Sequence, residues 1–476
     1  MCKTFLFDRE LRALGSASVQ LPLVTLSGTE VEQSAESWWD AAVSTVRQCL
    51  QEADVDRRRV KGISVSSQGI SIVPVDGTGS PLRSAISWLD TRAGAQRDRI
   101  AEKIGEKRIF SITGKRCSEG YSLPKLLWLK QRERKLYKES AKILMPMDFL
   151  LARLSGEFVT DHTMASGTML YDIGRQEWSG SILEAFGLDE RKLPAILWGG
   201  TPVSSLRREA AESLGLPPGV IVAVGGQDQK VAALGAGIDL ERSTISLGTA
   251  MAITKKCDSA VRDRRMRMPC FTDLLPGRWV LEGYTMCCSI LDWLRQTFFP
   301  DRSYEDLNRM AAEAQGRPNP PYFLPFFSGA PTPFFDPDAR GELKGLDLST
   351  TPGQIVRGFF EGIAYMIRAN LEIMEEISRP VRELRIFGGG SRSDVWCGII
   401  SDVVGRPVSA LTISESAAVG AAILAGMGTG VYARPEDAFE KIRVRTAYEP
   451  RGESVRRYGT EYAKVKALLD RRQRRR

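Results

Sequence analysis

The 476-residue sequence predicts an α/β protein of two large domains with a ligand cleft between them. Three observations carry that expectation. The length exceeds what one hydrophobic core sustains, so the chain divides. Apolar stretches of strand length alternate with segments of helical periodicity from the first hundred residues onward. Three strands run into glycines, at Gly225-Gly226, at Gly248 and at Gly388-Gly389-Gly390.

Taken in order, Lys3-Thr4-Phe5-Leu6-Phe7-Asp8 reads as a strand entering a turn, and a second extended stretch covers residues 18–24. Trp38, Trp39, Ala42, Val46 and Leu50 then recur at helical spacing. Gly62-Ile63-Ser64-Val65-Ser66 and Ile70-Ser71-Ile72-Val73-Pro74-Val75 return to strand character before the turn Asp76-Gly77-Thr78-Gly79. Residues 123–183 are mostly helical. Beyond a Pro- and Gly-rich stretch come Val220-Ile221-Val222-Ala223-Val224, then Thr244-Ile245-Ser246-Leu247, then Leu384-Arg385-Ile386-Phe387, each a strand ending in glycine. Between the last two, Ile355, Phe359, Ile363, Met366, Ile367, Leu371 and Met374 share one face of a long amphipathic helix, a core element. A helix over residues 417–425 carries Ala418, Gly420, Ala421 and Ala422, which permit close backbone packing.

Composition narrows the class. With 43% hydrophobic and 26% charged residues the chain reads as globular throughout. The net charge of +8 is inflated by Arg471, Arg472, Arg474, Arg475 and Arg476, expected as a solvated tail rather than a nucleic-acid site. Eight cysteines at irregular spacing, with one adjacent pair at Cys287-Cys288, suit reduced thiols better than disulfides or zinc. No signal-peptide core opens the sequence and no apolar run reaches membrane-spanning length, so a cytoplasmic protein without a membrane span is expected. His162 is the only histidine, which excludes a histidine triad or poly-histidine metal site and leaves it as a surface-loop residue. Oligomeric state is silent here, and a homodimer is compatible.

Glycines after a strand free successive backbone N–H groups to face an anion without a Cβ in the way. Neither a Walker-type loop nor Gly-x-Gly-x-x-Gly is present, so a different nucleotide fold is implied. Asp228 follows Gly225-Gly226-Gln227, and a carboxylate at a strand end can serve as base for phosphoryl transfer to a hydroxyl, or else cap the next helix. Asp90 and Arg92, in Trp88-Leu89-Asp90-Thr91-Arg92, can grip a polyol or form a solvated ion pair. Gln68 can donate to and accept from a single hydroxyl.

These residues resemble the FGGY carbohydrate kinases over about residues 3–460. Gly120-Tyr121-Ser122-Leu123-Pro124-Lys125-Leu126-Leu127-Trp128-Leu129 is similar to that family's N-domain signature, and residues 161–172 with Ala165-Ser166-Gly167-Thr168 to the segment after it. Gly225-Gly226-Gln227-Asp228 resembles the catalytic-base segment, Ser246-Leu247-Gly248-Thr249 the second phosphate loop, and Phe387-Gly388-Gly389-Gly390-Ser391-Arg392-Ser393 the adenosine-side loop. Phe326-Phe327-Ser328-Gly329 and Asp336-Pro337-Asp338-Ala339-Arg340-Gly341 are similar to glycerol kinase.

The resemblance implies two actin-like, ribonuclease-H-like domains closing over ATP, Mg²⁺ and a sugar. Residues 1–237 would form the sugar-binding domain with the base, 238–440 the nucleotide domain, and 441–476 a C-terminal helix and basic tail. It implies Asp228 as the base, also facing Mg²⁺ through water, with Gln68, Asp90, Arg92 and Gln229 on the sugar. Lys3, Gly248, Thr249, Gly389, Gly390 and Ser393 would hold the nucleotide. Two departures stand out. Family members open on a strand ending in Asp-x-Gly-Thr, which this sequence lacks; an upstream start is expected, with a truncated, catalytically impaired sugar-binding or regulatory homologue as the alternative. Gln68-Gly69-Ile70-Ser71 replaces the Gln-Met-His-Gly of xylulokinases, so the sugar stays open among pentuloses, hexuloses, aldonates and polyols.

Overall fold

Seven strands make the largest sheet, and their order brings the glycine loops together. The computed structural model describes residues 1–316, 320–413 and 415–474. In sheet order the strands are Cys270–Thr272, Trp279–Met286, Ala250–Cys257, Arg242–Leu247, Glu383–Phe387, Val408–Leu411 and Val444–Tyr448. Arg242–Leu247 runs antiparallel to Ala250–Cys257 but parallel to Glu383–Phe387, with Ser246 opposite Phe387. Parallel neighbours end at the same edge, so Gly248-Thr249 and Gly388-Gly389-Gly390 leave the sheet side by side.

The long helix Pro352–Glu376 packs against this sheet. Its start is fixed by Thr351, whose side chain accepts from the Gln354 N–H while the Gln354 side chain accepts from the Thr351 N–H, with Pro352 in the first turn. Phe359, Ile363, Met366, Ile367, Leu371 and Met374 are buried as their spacing predicts, and Ile355 packs at the margin. Helix Asp394–Val404 lies against it, and Gly452–Arg474 against that.

The first half of the chain builds smaller sheets. Ile221–Gln227 lies between Pro202–Ser205, antiparallel, and Gly62–Ser67, parallel. Cys2–Phe7 pairs with Ala13–Val19, and helix Ala35–Ala53, capped by Ser34, packs on that hairpin. Among the described residues Cys2–Phe7 and Gly62–Ser67 each keep one edge without a partner strand, and the Ser64 and Ser66 hydroxyls are buried without a hydrogen bond.

Helices Asp228–Gly235 and Ser416–Gly428 cross between the halves. A Cβ at Gly420 would stand 1.9 Å from the Val231 carbonyl oxygen, and one at Gly235 would stand 1.9 Å from that of Ser416. Glycine at both positions is therefore a condition of the crossing. Helix Ser416–Gly428 also packs on strands Gly62–Ser67 and Ile221–Gln227, so a late helix covers an early sheet. One apolar cluster runs from Ile72, Leu123 and Ile182 through to Ile245, Phe359 and Trp396.

Several expectations are corrected. Residues 70–75 are not one strand: Val73–Val75 is the strand and Ile72 adds a single bridge to Ile86, because Ile70 turns the chain at φ +58°. The stretch expected at 18–24 is the strand Ala13–Val19 followed by the short Val24–Thr25. The strand expected to end at Gly225-Gly226 continues through Gln227. A Cβ at Gly225 would lie 1.7 Å from the Val65 carbonyl oxygen, so this glycine serves strand-to-strand contact, and two glycine turns remain rather than three. His162 is buried, its ring 3.6 Å from that of Trp198 and its Nδ1 2.6 Å from the Tyr171 hydroxyl; burial pulls its pKa down to about 4. Arg471, Arg472 and Arg474 belong to the final helix rather than a frayed tail, while Arg475 and Arg476 lie outside the described residues. All eight cysteines are free, Cys287 and Cys288 included. Among the described residues no helix is long and apolar enough to cross a membrane.

Candidate functional site

Asp228 begins the helix that follows Ile221–Gln227, and a second helix start fixes that junction. The Asp161 carboxylate accepts the N–H groups of Thr163 at 2.7 Å and Met164 at 2.9 Å, capping helix His162–Ser166. Thr163 Oγ1 in turn accepts the Gln227 N–H at 2.8 Å. Gln227 is the N-cap residue, its side chain accepting the Gln229 N–H at 3.1 Å. The helix cap and the acid are therefore neighbours rather than one residue.

Asp228 Oδ1 accepts from the Gln229 N–H at 2.7 Å and from the Gln227 side-chain amide, leaving Oδ2 without a partner among the described residues. Asp228 is half-buried by accessible surface but closely surrounded by protein, and that burial pushes its pKa up to about 6. Lys230 and the hydrogen bonds pull the other way, while Glu282 adds to the rise. Both protonation states are thus populated near neutrality, as a general base requires.

Lys230 ties this junction to the other half of the molecule. It is buried, with Nζ 2.7 Å from Glu282 Oε2 on strand Trp279–Met286 and 3.6 Å from the Phe271 ring centroid. Lys115 Nζ stands 3.8 Å from the same ring and donates to the carbonyls of Cys270 at 2.9 Å and Thr113 at 3.1 Å. Burial pulls the Lys115 pKa down to about 7. Desolvated cation–π contacts contribute about 2 kcal/mol each. Thr163, Lys115, Lys230 and Glu282 escaped the sequence reading, and the one available signal was a lysine at the head of the apolar run Val231-Ala232-Ala233-Leu234.

Of the expected sugar contacts, Gln68 Nε2 donates to Gln33 Oε1 at 2.9 Å, and Gln229 is partly accessible beside Asp228. Asp90 and Arg92 form a buried ion pair rather than a solvated one. Asp90 accepts from the Val31 N–H at 2.7 Å and from Arg92 N–H and Nε–H at 3.0 and 2.8 Å. The Arg92 guanidinium also reaches Glu32 at 2.9 Å and lies 4.9 Å over the Trp128 ring. With their polar atoms so engaged, the two brace the loop that exposes Trp88 and Leu89.

Of the residues expected to hold a nucleotide, Thr249 is exposed, and the carbonyls of Gly248 and Thr249 accept the N–H groups of Cys288 at 3.0 Å and Cys287 at 3.1 Å. Gly388 sits at φ +92°, where a Cβ would meet the Leu247 carbonyl oxygen at 2.8 Å. Gly389 is exposed with open space around it, whereas Gly390 is buried against Leu247 and Trp396. Two of the expected nucleotide contacts have other occupations. Ser393 caps helix Asp394–Val404 by accepting the Trp396 N–H at 3.0 Å and donates its hydroxyl to Asn308. Lys3 pairs with Glu415 at 2.7 Å.

Among the described residues no three His, Cys, Asp or Glu side chains gather as a metal site. A Mg²⁺ ion keeps waters and phosphate oxygens and needs one or two carboxylates, and Asp228 Oδ2 is a carboxylate oxygen that could serve one through water. Surface cavities of about 410 and 330 Å³, one lined by Arg262, Arg264 and Arg265 and the other by Tyr448 and Arg451, contain none of the residues above.

The FGGY family of carbohydrate kinases, N-terminal domain, matches residues 1–235, and its C-terminal domain matches residues 244–429. A xylulose kinase of Bacillus subtilis (strain 168) is 31% identical over 461 residues, covering 96% of this chain and 92% of that one. Among solved structures, a xyloylose kinase from Brucella ovis superposes with a TM-score of 0.91 at 26% identity, covering 98% of this chain and 96% of its own. A gluconate kinase from Lactobacillus acidophilus gives the same TM-score at 22% identity, covering 98% and 95%, which shows likeness of fold alone.

Proposed function

This chain belongs to the FGGY family of carbohydrate kinases, with the two-domain, actin-like α/β fold of that family, and we propose that it transfers the γ-phosphoryl group of ATP to a sugar hydroxyl. The observation that carries this reading is Asp228, a partly accessible carboxyl held near neutrality at the seam of the two halves. In this reading Asp228 Oδ2 takes the proton of the attacking hydroxyl while Oδ1 stays anchored. Gln68 and Gln229 orient the sugar, and Asp90 with Arg92 stiffens the loop beside them. Thr249 and Gly389, exposed on their loops, offer backbone N–H groups to the phosphates, and Gly248 and Gly390 shape the two turns that present them. Mg²⁺, when bound with ATP, neutralises phosphate charge, and Asp228 is the carboxylate this chain would offer it through water. Closure of the halves keeps water from accepting the phosphoryl group. The setting in this reading is the cytoplasm.

The sugar is a pentulose, hexulose, aldonate or polyol. Similarity to xylulose kinases places D-xylulose first in the panel, while Gly69-Ile70-Ser71 gives a reason to include the others. Coupled ADP release from the full chain with D-xylulose, L-fuculose, D-gluconate and glycerol tests the proposal. Sugar-dependent ADP production with one of them is expected; none above the sugar-free rate, with ATP bound, would refute it.

A further inference from the structure

We propose that Lys125 and Ser122 clamp a strained turn, Gly69-Ile70-Ser71, and that this clamp sets the affinity of the site for its sugar. The inference rests on the kinase reading above for its second half only.

The turn is costly by itself. Ser71 N–H donates to the Gly69 carbonyl at 2.8 Å, closing a three-residue turn with Ile70 at its centre. Ile70 has φ +58°, and a β-branched side chain in the left-handed region is a steric outlier that persists only where its surroundings enforce it.

What enforces it comes from helix Ser122–Arg132, more than fifty residues away. The Ile70 carbonyl accepts from Ser122 Oγ at 3.2 Å and Lys125 Nζ at 3.4 Å. Lys125 Nζ also donates to the Gly120 carbonyl at 2.6 Å, so a single ammonium bridges the loop before its helix to the turn. Both side chains are buried. A lysine buried onto backbone carbonyls is unfavourable unless it holds something, and burial pulls the Lys125 pKa down to about 7. Side-chain packing alone would be met as well by methionine.

The turn touches the site at two points. Gln68 precedes it, and its Nε2 lies 3.5 Å from Ser71 Oγ, which also accepts the Trp88 N–H at 2.9 Å. A Cβ on Gly69 would stand 3.3 Å from Gln227 Cγ, so the turn abuts the residue before Asp228. Relaxation of Ile70 therefore displaces the proposed sugar contact and the wall next to the base, and leaves the glycine loops of the other half alone. Lys125 acts as a positioning residue.

The test combines Lys125→Met, Ile70→Gly and the double variant of the full chain, assayed with D-xylulose or the best sugar of the panel. Lys125→Met is expected to raise the sugar KM about tenfold, with kcat and the ATP KM within about threefold. Ile70→Gly removes the strain, so in that background the Lys125→Met effect should shrink to about threefold or less. Hydrogen exchange of the peptide spanning Ser71 should quicken about tenfold in Lys125→Met, with protection elsewhere unchanged. Should Lys125→Met be insoluble, Ser122→Ala carries the same comparison with a smaller effect. An unchanged sugar KM, a loss confined to kcat, or an equal penalty in the Ile70→Gly background overturns the clamp. Faster exchange at Ser71 in a protein that phosphorylates no sugar would refute the kinase reading and leave the clamp standing.

Discussion

Replacing Asp228 by asparagine should weaken catalysis and strengthen the fold together. The amide is nearly isosteric and keeps an oxygen for the Gln229 N–H, so the junction of strand and helix survives. It cannot take a proton from a hydroxyl, and loss of a general base costs about 10²–10⁴ in kcat. Stability moves the opposite way because the folded protein raises this carboxyl from 3.8 to about 6. A raised acid pKa means that folding disfavours the charged form: the stability is intact below about pH 4 and is lost as pH climbs through about 6. That rise corresponds to about 3 kcal/mol, an upper figure since Asp228 keeps some solvent. Urea unfolding should therefore show the variant more stable than the parent by about 1–3 kcal/mol at pH 8, with the gain vanishing near pH 4. In the parent, log kcat/KM should fall with unit slope below about pH 6, and the variant should lack that bend. More than a tenth of parental kcat, or an acid limb surviving in the variant, would refute the reasoning.

Glu282→Gln removes a charge that raises the Asp228 pKa, so the acid limb of kcat/KM should move to lower pH; an upward shift would show that Lys230 no longer faces Asp228. Gly389→Val enters open space, so thermal unfolding should be unchanged while the ATP KM rises about tenfold or more and the sugar KM holds; an unaffected ATP KM would remove this loop from the nucleotide site. Gly420→Ala puts a methyl group against the Val231 carbonyl, and a destabilisation of about 3 kcal/mol or more should appear in urea titration. A smaller loss would mean that the helix crossing yields easily.

Sequence alone determined what neighbouring residues encode. Helical periodicity placed Pro352–Glu376 and its buried face, and strand-then-glycine patterns placed Arg242–Leu247 and Glu383–Phe387 with their loops. Asp228 was legible because an acid directly after a strand must stand at its end. The same local logic misled at Gly225, where glycine answers the approach of Val65 from another strand, and at His162, whose burial depends on Trp198 and Tyr171. Tertiary structure alone decided the environment of the acid. Lys230 meets Glu282 across 52 residues, Lys115 meets Cys270 across 155, and Lys125 meets Ile70 across 55. Desolvation and charge coupling depend on distance in space, and no periodicity along a chain records it.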